Sequence, residues 1–260
     1  MAEALYQQDG KEPEAATHAL EAAHWYDAAG EGAGAGAYAR LILAQAYGAS
    51  DRAAEGAEIL ESALPDLLAH GDEQAVRARD TLGRLLRELG EEKAAAEQYL
   101  LAAEIADGWD HPAPKARLAM LAGECLAGQE GLEVQAEQAY LRAAELWQQA
   151  GETFGYVRAL RARTWSQLSQ LLYSEDGQGD EVVELSVRAS EALREFGPDE
   201  LGERASCVLR VAWTEQGRGR KDEGRAALAA FVEELRPMAQ ESETAADMLE
   251  GLEKRLKHFG

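Results

Sequence analysis

Apolar positions along this chain recur every three or four residues, and short polar stretches rich in glycine and acids interrupt them at regular intervals. Such spacing puts the apolar side chains on one face of a helix. Ala, Leu, Glu, Gln and Arg fill the periodic stretches, proline is scarce, and no run of alternating β-branched residues suggests a strand. The main interruptions are AGE (Ala29 to Glu31), HGD (His70 to Asp72), WDHP (Trp109 to Pro112), AGE (Ala150 to Glu152) and FGPD (Phe196 to Asp199). A glycine after helix formers supplies a left-handed C-cap, and the acid that follows favours the start of the next helix. Lesser breaks at YGASD (Tyr47 to Asp51), LGEE (Leu89 to Glu92), AGQEG (Ala127 to Gly131), SEDGQGDE (Ser174 to Glu181) and QGRGRKDEG (Gln216 to Gly224) divide each unit in two. The pattern predicts first helices near 34–48, 73–89, 113–127, 153–172 and 200–216. Their partners are predicted near 52–69, 92–107, 132–149, 180–195 and 220–236. A helix near 12–28 precedes them as a truncated first unit, and one near 242–258 follows.

Two nearly identical phrases, AEQYLLAAE (Ala96 to Glu104) and AEQAYLRAAE (Ala136 to Glu145), put Tyr99 and Tyr140 about 41 residues apart. Helix pairs at a fixed period imply a solenoid in which each pair buries its apolar face against its neighbours. In this reading small Ala102 and Ala143 let helices approach, and Tyr99 and Tyr140 fill the space between hairpins.

The third unit resembles a tetratricopeptide repeat (TPR) at its signature positions. Leu82-Gly83 match the Leu-Gly pair, Leu86 the next aromatic position, Gly90 the turn, and Ala95, Tyr99 and Ala102 the second-helix positions. In the fifth unit Trp165, Leu168, Ser169 and Leu172 are similar to the Trp-to-Tyr segment, with Ser for Gly. In the sixth, Leu209, Trp213 and Gly217 match the Leu, aromatic and turn positions, while Arg210 occupies the small-residue position. The period near 41 exceeds the family's 34. The resemblance implies an all-α, right-handed superhelical solenoid of about six helix-turn-helix hairpins with a C-terminal capping helix. It would form a single domain over 1–260: a truncated unit at 1–30, five full hairpins at 31–240 and the cap at 241–260.

Charge narrows the classes of partner. The chain carries a net charge of -22, which opposes binding to DNA, RNA and anionic lipid, because that binding rests on Lys and Arg neutralising phosphates. No stretch reaches the roughly 18 apolar residues of a spanning helix. The first residues, MAEALYQQDGKEPEAA, lack the basic and apolar regions of a signal peptide. A cytoplasmic protein with no membrane association is expected. Cys125 and Cys207 stand too far apart in sequence for a CxxC site and fall in apolar helical stretches, as reduced buried thiols do.

Catalytic and metal chemistry find little support. His18, Glu21 and His24 fan around more than one helix face and cannot readily share a metal. His70 and His111 sit in inter-unit turns, about one period apart. EGAGAGAY (Glu31 to Tyr38) lacks a preceding strand and a GK[ST] tail, and DGQGDE (Asp176 to Glu181) lacks the acid ladder of a calcium loop. No cofactor, metal or catalytic residue is expected, and the chain is read as a non-enzyme.

The placement of arginine says more. Bases outnumber acids on the first helices although the whole chain is strongly acidic, and acids at Asp72, Asp110, Glu152 and Asp199 lie just outside those helices. In tetratricopeptide arrays the first helices line a concave groove, so the resemblance implies a comparatively basic trough. Counted from Gly90, Gly217 and Trp165, Arg77, Arg204 and Arg163 share the second position of the repeat, which in the family commonly faces ligand; Arg117 falls about one residue off. Arginine's planar fork holds carboxylates in pairs of hydrogen bonds. The expected role is therefore a protein-interaction scaffold whose groove grips an acidic or carboxylate-bearing peptide through Arg77, Arg117, Arg163 and Arg204, with Trp165 and Trp213 offering apolar contact. Two alternatives stand beside it. These arginines could pair only with acids of neighbouring helices, or the chain could be a peptide-sensing regulator. The stripe Ala245, Met248, Leu249, Leu252, Leu256 and Phe259 is read as an end cap, with dimerisation through the same stripe as its rival, leaving a monomer or a homodimer.

Overall fold

A computed structural model describes residues 1–8, 10–30, 33–151, 155–175 and 179–259. Glu31 and Gly32, Glu152 and the first residues of the helix expected from 153, and Asp176 to Gln178 of the glycine-rich turn lie outside the described residues. The helices are α1 (Ala2–Tyr6), α2 (Glu12–Ala29), α3 (Ala33–Gly48), α4 (Ala53–Ala69), α5 (Asp72–Glu88), α6 (Glu92–Ile105), α7 (Ala113–Leu126) and α8 (Glu133–Ala150). They continue with α9 (Gly155–Glu175), α10 (Asp180–Leu193), α11 (Leu201–Gly217), α12 (Lys221–Met238) and α13 (Glu243–His258). Short 3-10 turns at Ala106–Gly108 and Arg194–Glu200 extend α6 and α10. No strand occurs among the described residues. Each helix expected from the apolar spacing is present; α1 was not expected.

The chain forms two compact units, Met1–Ala139 and Tyr140–Gly260, with the division inside α8. In the first unit each helix from α2 to α7 packs on the next, and α1 lies against α2 and α3. In the second, α9 to α13 pack in the same consecutive manner. The Trp147 indole, fully buried, donates to Thr164 Oγ1 at 3.1 Å and so ties the end of α8 to α9.

The link between paired helices is built alike in three places. Gly90 takes φ 78°, and the Glu91 amide donates to the Leu86 carbonyl at 2.9 Å. Gly219 also takes φ 78°, with the Arg220 amide donating to the Glu215 carbonyl at 2.8 Å. At the third link Asp51, at φ 56°, takes the place of glycine, with Arg52 donating to the Tyr47 carbonyl at 2.9 Å. Aspartate is among the few side chains that tolerate this left-handed region.

This geometry corrects the sixth unit. Gly217 is the last residue of α11, and Gly219 is the turn glycine equivalent to Gly90. The small-residue position becomes Ala212, fully buried, instead of Arg210. The second position of the repeat becomes Ser206 instead of Arg204. A two-residue shift turns a side chain by about 200° around a helix, so Arg204 and Arg210 face inward. Both are buried.

The repeated phrase does mark packing positions. Tyr99, Ala102, Tyr140 and Ala143 are all buried. The Tyr99 ring, however, lies over Gly83 of its own hairpin: a Cβ on Gly83 would stand 2.8 Å from Tyr99 Cε1. Helix propensity alone predicts that Gly83→Ala stabilises by up to about 1 kcal/mol. The buried ring cannot swing aside, and overpacking costs roughly 1–3 kcal/mol. Gly83→Ala is therefore expected to lower stability by about 1–2 kcal/mol in denaturant unfolding, and adding Tyr99→Leu should recover part of the loss.

At the other end, Ala245, Leu252 and Phe259 of the apolar stripe are buried in a cluster with Leu228, Phe231, Val232 and Leu235 of α12. Met248, Leu249 and Leu256 pack against the same cluster. The stripe thus covers the α11–α12 pair of its own unit, and Ser242 caps α13 by accepting from the Ala245 amide at 3.3 Å.

Candidate functional site

The first helices of the first unit carry polar residues on one face of α5. Arg77, Asp80, Arg84 and Arg87 follow one another at three- and four-residue intervals, so they share that face. Each is held by a partner. Arg117 of α7 pairs with Asp80, and Arg87 pairs with Glu124 of α7 at 2.9 Å, so two ion pairs bridge α5 and α7. Arg84 pairs with Glu88 within α5 at 2.9 Å. These contacts fit the alternative in which arginines staple adjacent helices. Exposed pairs of this kind contribute only about 0–1 kcal/mol each.

Arg77 differs in where its carboxylate comes from. Its Nη1 donates to the Tyr38 hydroxyl of α3 at 2.9 Å, and its Nη2 donates to Glu3 Oε1 of α1 at 3.2 Å. Tyr38 occupies the second repeat position when the count starts from Asp51, so it is the counterpart of Arg77 one unit earlier. A hydrogen bond from the Tyr38 hydroxyl is the largest influence on the Glu3 carboxyl. With help from Arg77 it outweighs partial burial and holds that carboxyl below the usual range. Arg77 thus bridges the Tyr38 hydroxyl and the Glu3 carboxylate in one clamp, and its side chain remains about one-third exposed, 34%.

The remaining predicted residues do not join this clamp. Arg163 of α9 pairs with Glu200 and keeps half its side chain exposed. Trp165 is half-buried, with the guanidinium of Arg188 4.5 Å and that of Arg161 5.1 Å from its ring centre. Its face is taken up by cations of its own chain, which leaves it little apolar surface to offer. Trp213 is 37% exposed and meets Phe259 edge-to-face at 6.3 Å. Arg204 is 3% exposed; its Nε donates to the Ser190 carbonyl at 3.2 Å and its Nη2 to Glu234 at 2.7 Å. The expectation that Arg204 faces ligand is therefore corrected: it is a buried member of the α10–α12 packing. Arg210, likewise buried, donates to the Ser166 carbonyl at 3.1 Å and contacts Cys207 Sγ at 3.3 Å.

Sequence reasoning missed Tyr38 and Glu3. Tyr38 was discoverable, because the Asp51 turn puts it in register with Arg77. Glu3 gave no signal, since α1 is too short for a periodic pattern to develop.

Elsewhere the chemistry is sparse. Burial pushes the Cys125 thiol up to about 12 and raises that of Cys207 as well, so both stay protonated near neutrality. Thiolates, not thiols, attack electrophiles. Among the described residues no group of three or more His, Cys, Asp or Glu side chains is placed to hold a metal ion. His18 lies 3.5 Å from Glu21 on the exposed side of α2. Gly34 of the Glu31 to Tyr38 stretch serves packing: a Cβ there would stand 1.9 Å from the His70 ring. No described helix is long and apolar enough to cross a membrane.

No protein-family model matches the chain, and no curated protein matches it. Solved structures do. BtubC (BKLC) from P. vanneervenii superposes with a TM-score of 0.63 at 16% identity, covering 98% of this chain and 92% of that one. A putative kinesin light chain of P. anserina with nearly identical TPR-like repeats gives 0.59 at 17% identity, covering 74% and 92%. This chain has the tetratricopeptide-like fold. The apo form of RapI is similar too, with a TM-score of 0.56 at 13% identity over 86% of this chain and 83% of that one. At such identities the tetratricopeptide-like likeness concerns the path of the backbone.

Proposed function

We propose that this protein is a non-enzymatic interaction scaffold that binds an acidic or carboxylate-bearing peptide segment on the first-helix face of its first unit. The observation that carries the reading is the clamp itself. Arg77, braced by the Tyr38 hydroxyl, holds a carboxylate from a residue 74 positions away, on a short segment rather than on a neighbouring repeat. Stacked helix pairs present extended faces suited to such segments. Arg117, 42% exposed and paired with Asp80 one helical turn along α5 from Arg77, offers a second cation that an incoming carboxylate can share. The acidic character of the rest of the chain favours selectivity, since it repels acidic segments everywhere except at this patch.

Fluorescence anisotropy with labelled acidic peptides, and with Gln and Asn counterparts, tests the reading. Acidic peptides should bind, and binding should weaken as salt rises, because the charges are partly exposed. A charge-assisted hydrogen bond contributes about 1.5–3 kcal/mol, so Arg77→Ala should weaken binding roughly 10- to 100-fold. Arg117→Ala should have a smaller effect. Acidic peptides that bind Arg77→Ala as well as they bind the parent chain would remove the site.

A further inference from the structure

The carboxylate in the clamp belongs to the chain itself, and the segment that delivers it is weakly built. Helix α1 spans five residues, far below the length at which a helix is stable alone. It has no side-chain cap at its N-terminus and no fully buried residue. Ala2 and Tyr6 pack against the cluster of Ala19, Ile42 and Leu43, while Glu3 reaches Arg77. Ala4, Gln7 and Gln8 stay exposed. Short turn bonds, Gln8 to the Leu5 carbonyl at 3.0 Å and Lys11 to the Gln8 carbonyl at 3.1 Å, connect the segment to α2, and Gly10 takes φ 78° in that link. Half-buried contacts and a short helix place this segment at the low end of local stability.

We propose that Ala2–Tyr6 is an internal occupant of the peptide site, and that a partner binds by presenting the same chemistry and displacing it. This rests on the reading of the Arg77–Tyr38 clamp as that site. The partner's motif follows from the occupant: a carboxylate preceded by a small apolar residue and followed three positions later by an aromatic one, in a helical turn. Glutamate and tyrosine at that spacing stand on one helix face, so the acid enters the clamp while the ring covers the apolar patch formed by Ile42 and Leu43. Because the occupant is tethered through only a few residues, it competes at a high effective concentration. A free peptide therefore sees only the fraction of molecules with α1 undocked, and its apparent affinity is reduced accordingly.

The test uses the full chain and a labelled peptide copied from the segment, acetyl-AEALYQQ, with acetyl-AQALYQQ as control. Binding is compared between the parent and the double variant Glu3→Gln/Tyr6→Ser, in which the occupant is weakened but the clamp is intact. The peptide should bind the variant at least tenfold more tightly than the parent, and adding Arg77→Ala to the variant should abolish the gain. Hydrogen exchange of the Leu5 and Tyr6 amides in the parent should accelerate when saturating peptide is added. Equal affinity for parent and variant, with binding still dependent on Arg77, overturns the internal occupant and leaves the peptide site standing. Binding that ignores Arg77 in both chains overturns the site as well. A peptide that binds neither chain overturns the occupant, and the acidic-peptide titrations then judge the site by themselves.

Discussion

Replacing Gly224 by alanine is expected to destabilise the second unit by about 3 kcal/mol, near the upper end of the overpacking range. Two effects of opposite sign compete at this position. An alanine in a helix interior gains up to about 1 kcal/mol over glycine. Its Cβ, however, would stand 2.5 Å from the Ala212 carbonyl oxygen and 3.2 Å from the Ala212 Cα. The obstacle is backbone inside α11, so no rotamer change relieves it, and the two helices must move apart. The loss would spread into the cluster that Leu228, Phe231 and Val232 share with α13. Hydrogen exchange resolved to α11, α12 and α13, together with denaturant unfolding, checks the expectation. Gly251→Ala is the control: nothing lies within 4 Å of its Cβ, and a gain of about 0.5–1 kcal/mol is expected there. If Gly224→Ala matched that gain, the close approach of α11 and α12 would be wrong.

That close approach bears on what the sequence could and could not reveal. Helix positions were legible because 14 to 21 residues of consistent apolar spacing in each helix after α1 average out single ambiguities. Register within a helix pair was legible only where one turn residue was available. LGEE contains a single glycine, and Gly90 is indeed the left-handed residue. QGRGRKDEG contains three, and the choice of Gly217 over Gly219 displaced the whole sixth unit by two positions. One consequence was the misfit of Arg210 at a small-residue position; another was the assignment of Arg204 to a ligand-facing one. The structure removes both at once, since Ala212 and Gly224 are the small pair that lets α11 and α12 meet.

The site was less legible than the fold, for a different physical reason. An excess of arginine on the first helices can be read from the sequence, but the partners that neutralise it cannot. Asp80 meets Arg117, and Glu124 meets Arg87, across a spacing of 37 residues. Glu200 meets Arg163 across the same interval. Nothing in a one-dimensional pattern says whether an acid so far away completes an ion pair or faces water. Part of the basic character therefore goes into joining one first helix to the next. Arg77 differs from those arginines in that its carboxylate partner, Glu3, arrives on α1.

Arg204 supplies the other large effect, as a structural group instead of a ligand contact. Its guanidinium lies 5.1 Å from the ring centre of Phe231 on α12, and its carboxylate partner is Glu234. Glu234 is shared with Arg194, whose Nη2 stands 2.8 Å away. Removing one partner of a buried pair leaves an uncompensated charge, at a cost of about 3–5 kcal/mol. Glu234 keeps 27% of its side chain exposed, so water softens the loss, and Glu234→Ala is expected to cost about 3 kcal/mol. Arg204→Met should cost much less, because it removes the charge together with its need for a partner and fills similar space. The same pair predicts an acid-sensitive unit. Burial alone pushes the Glu234 carboxyl up, but Arg204 and Arg194 more than offset it and hold the group below its usual range. A carboxyl depressed in the folded state binds its proton more readily when unfolded, so its contribution is complete above the ordinary glutamate value of about 4.3. That contribution fades as pH falls through the lower folded value. Denaturant midpoints of the second unit should therefore decline below about pH 4.3 in the parent and less steeply in Arg204→Met. A parent and an Arg204→Met chain with the same acid slope, or a Glu234→Ala chain as stable as Arg204→Met, would show that the buried guanidinium does not depend on this carboxylate.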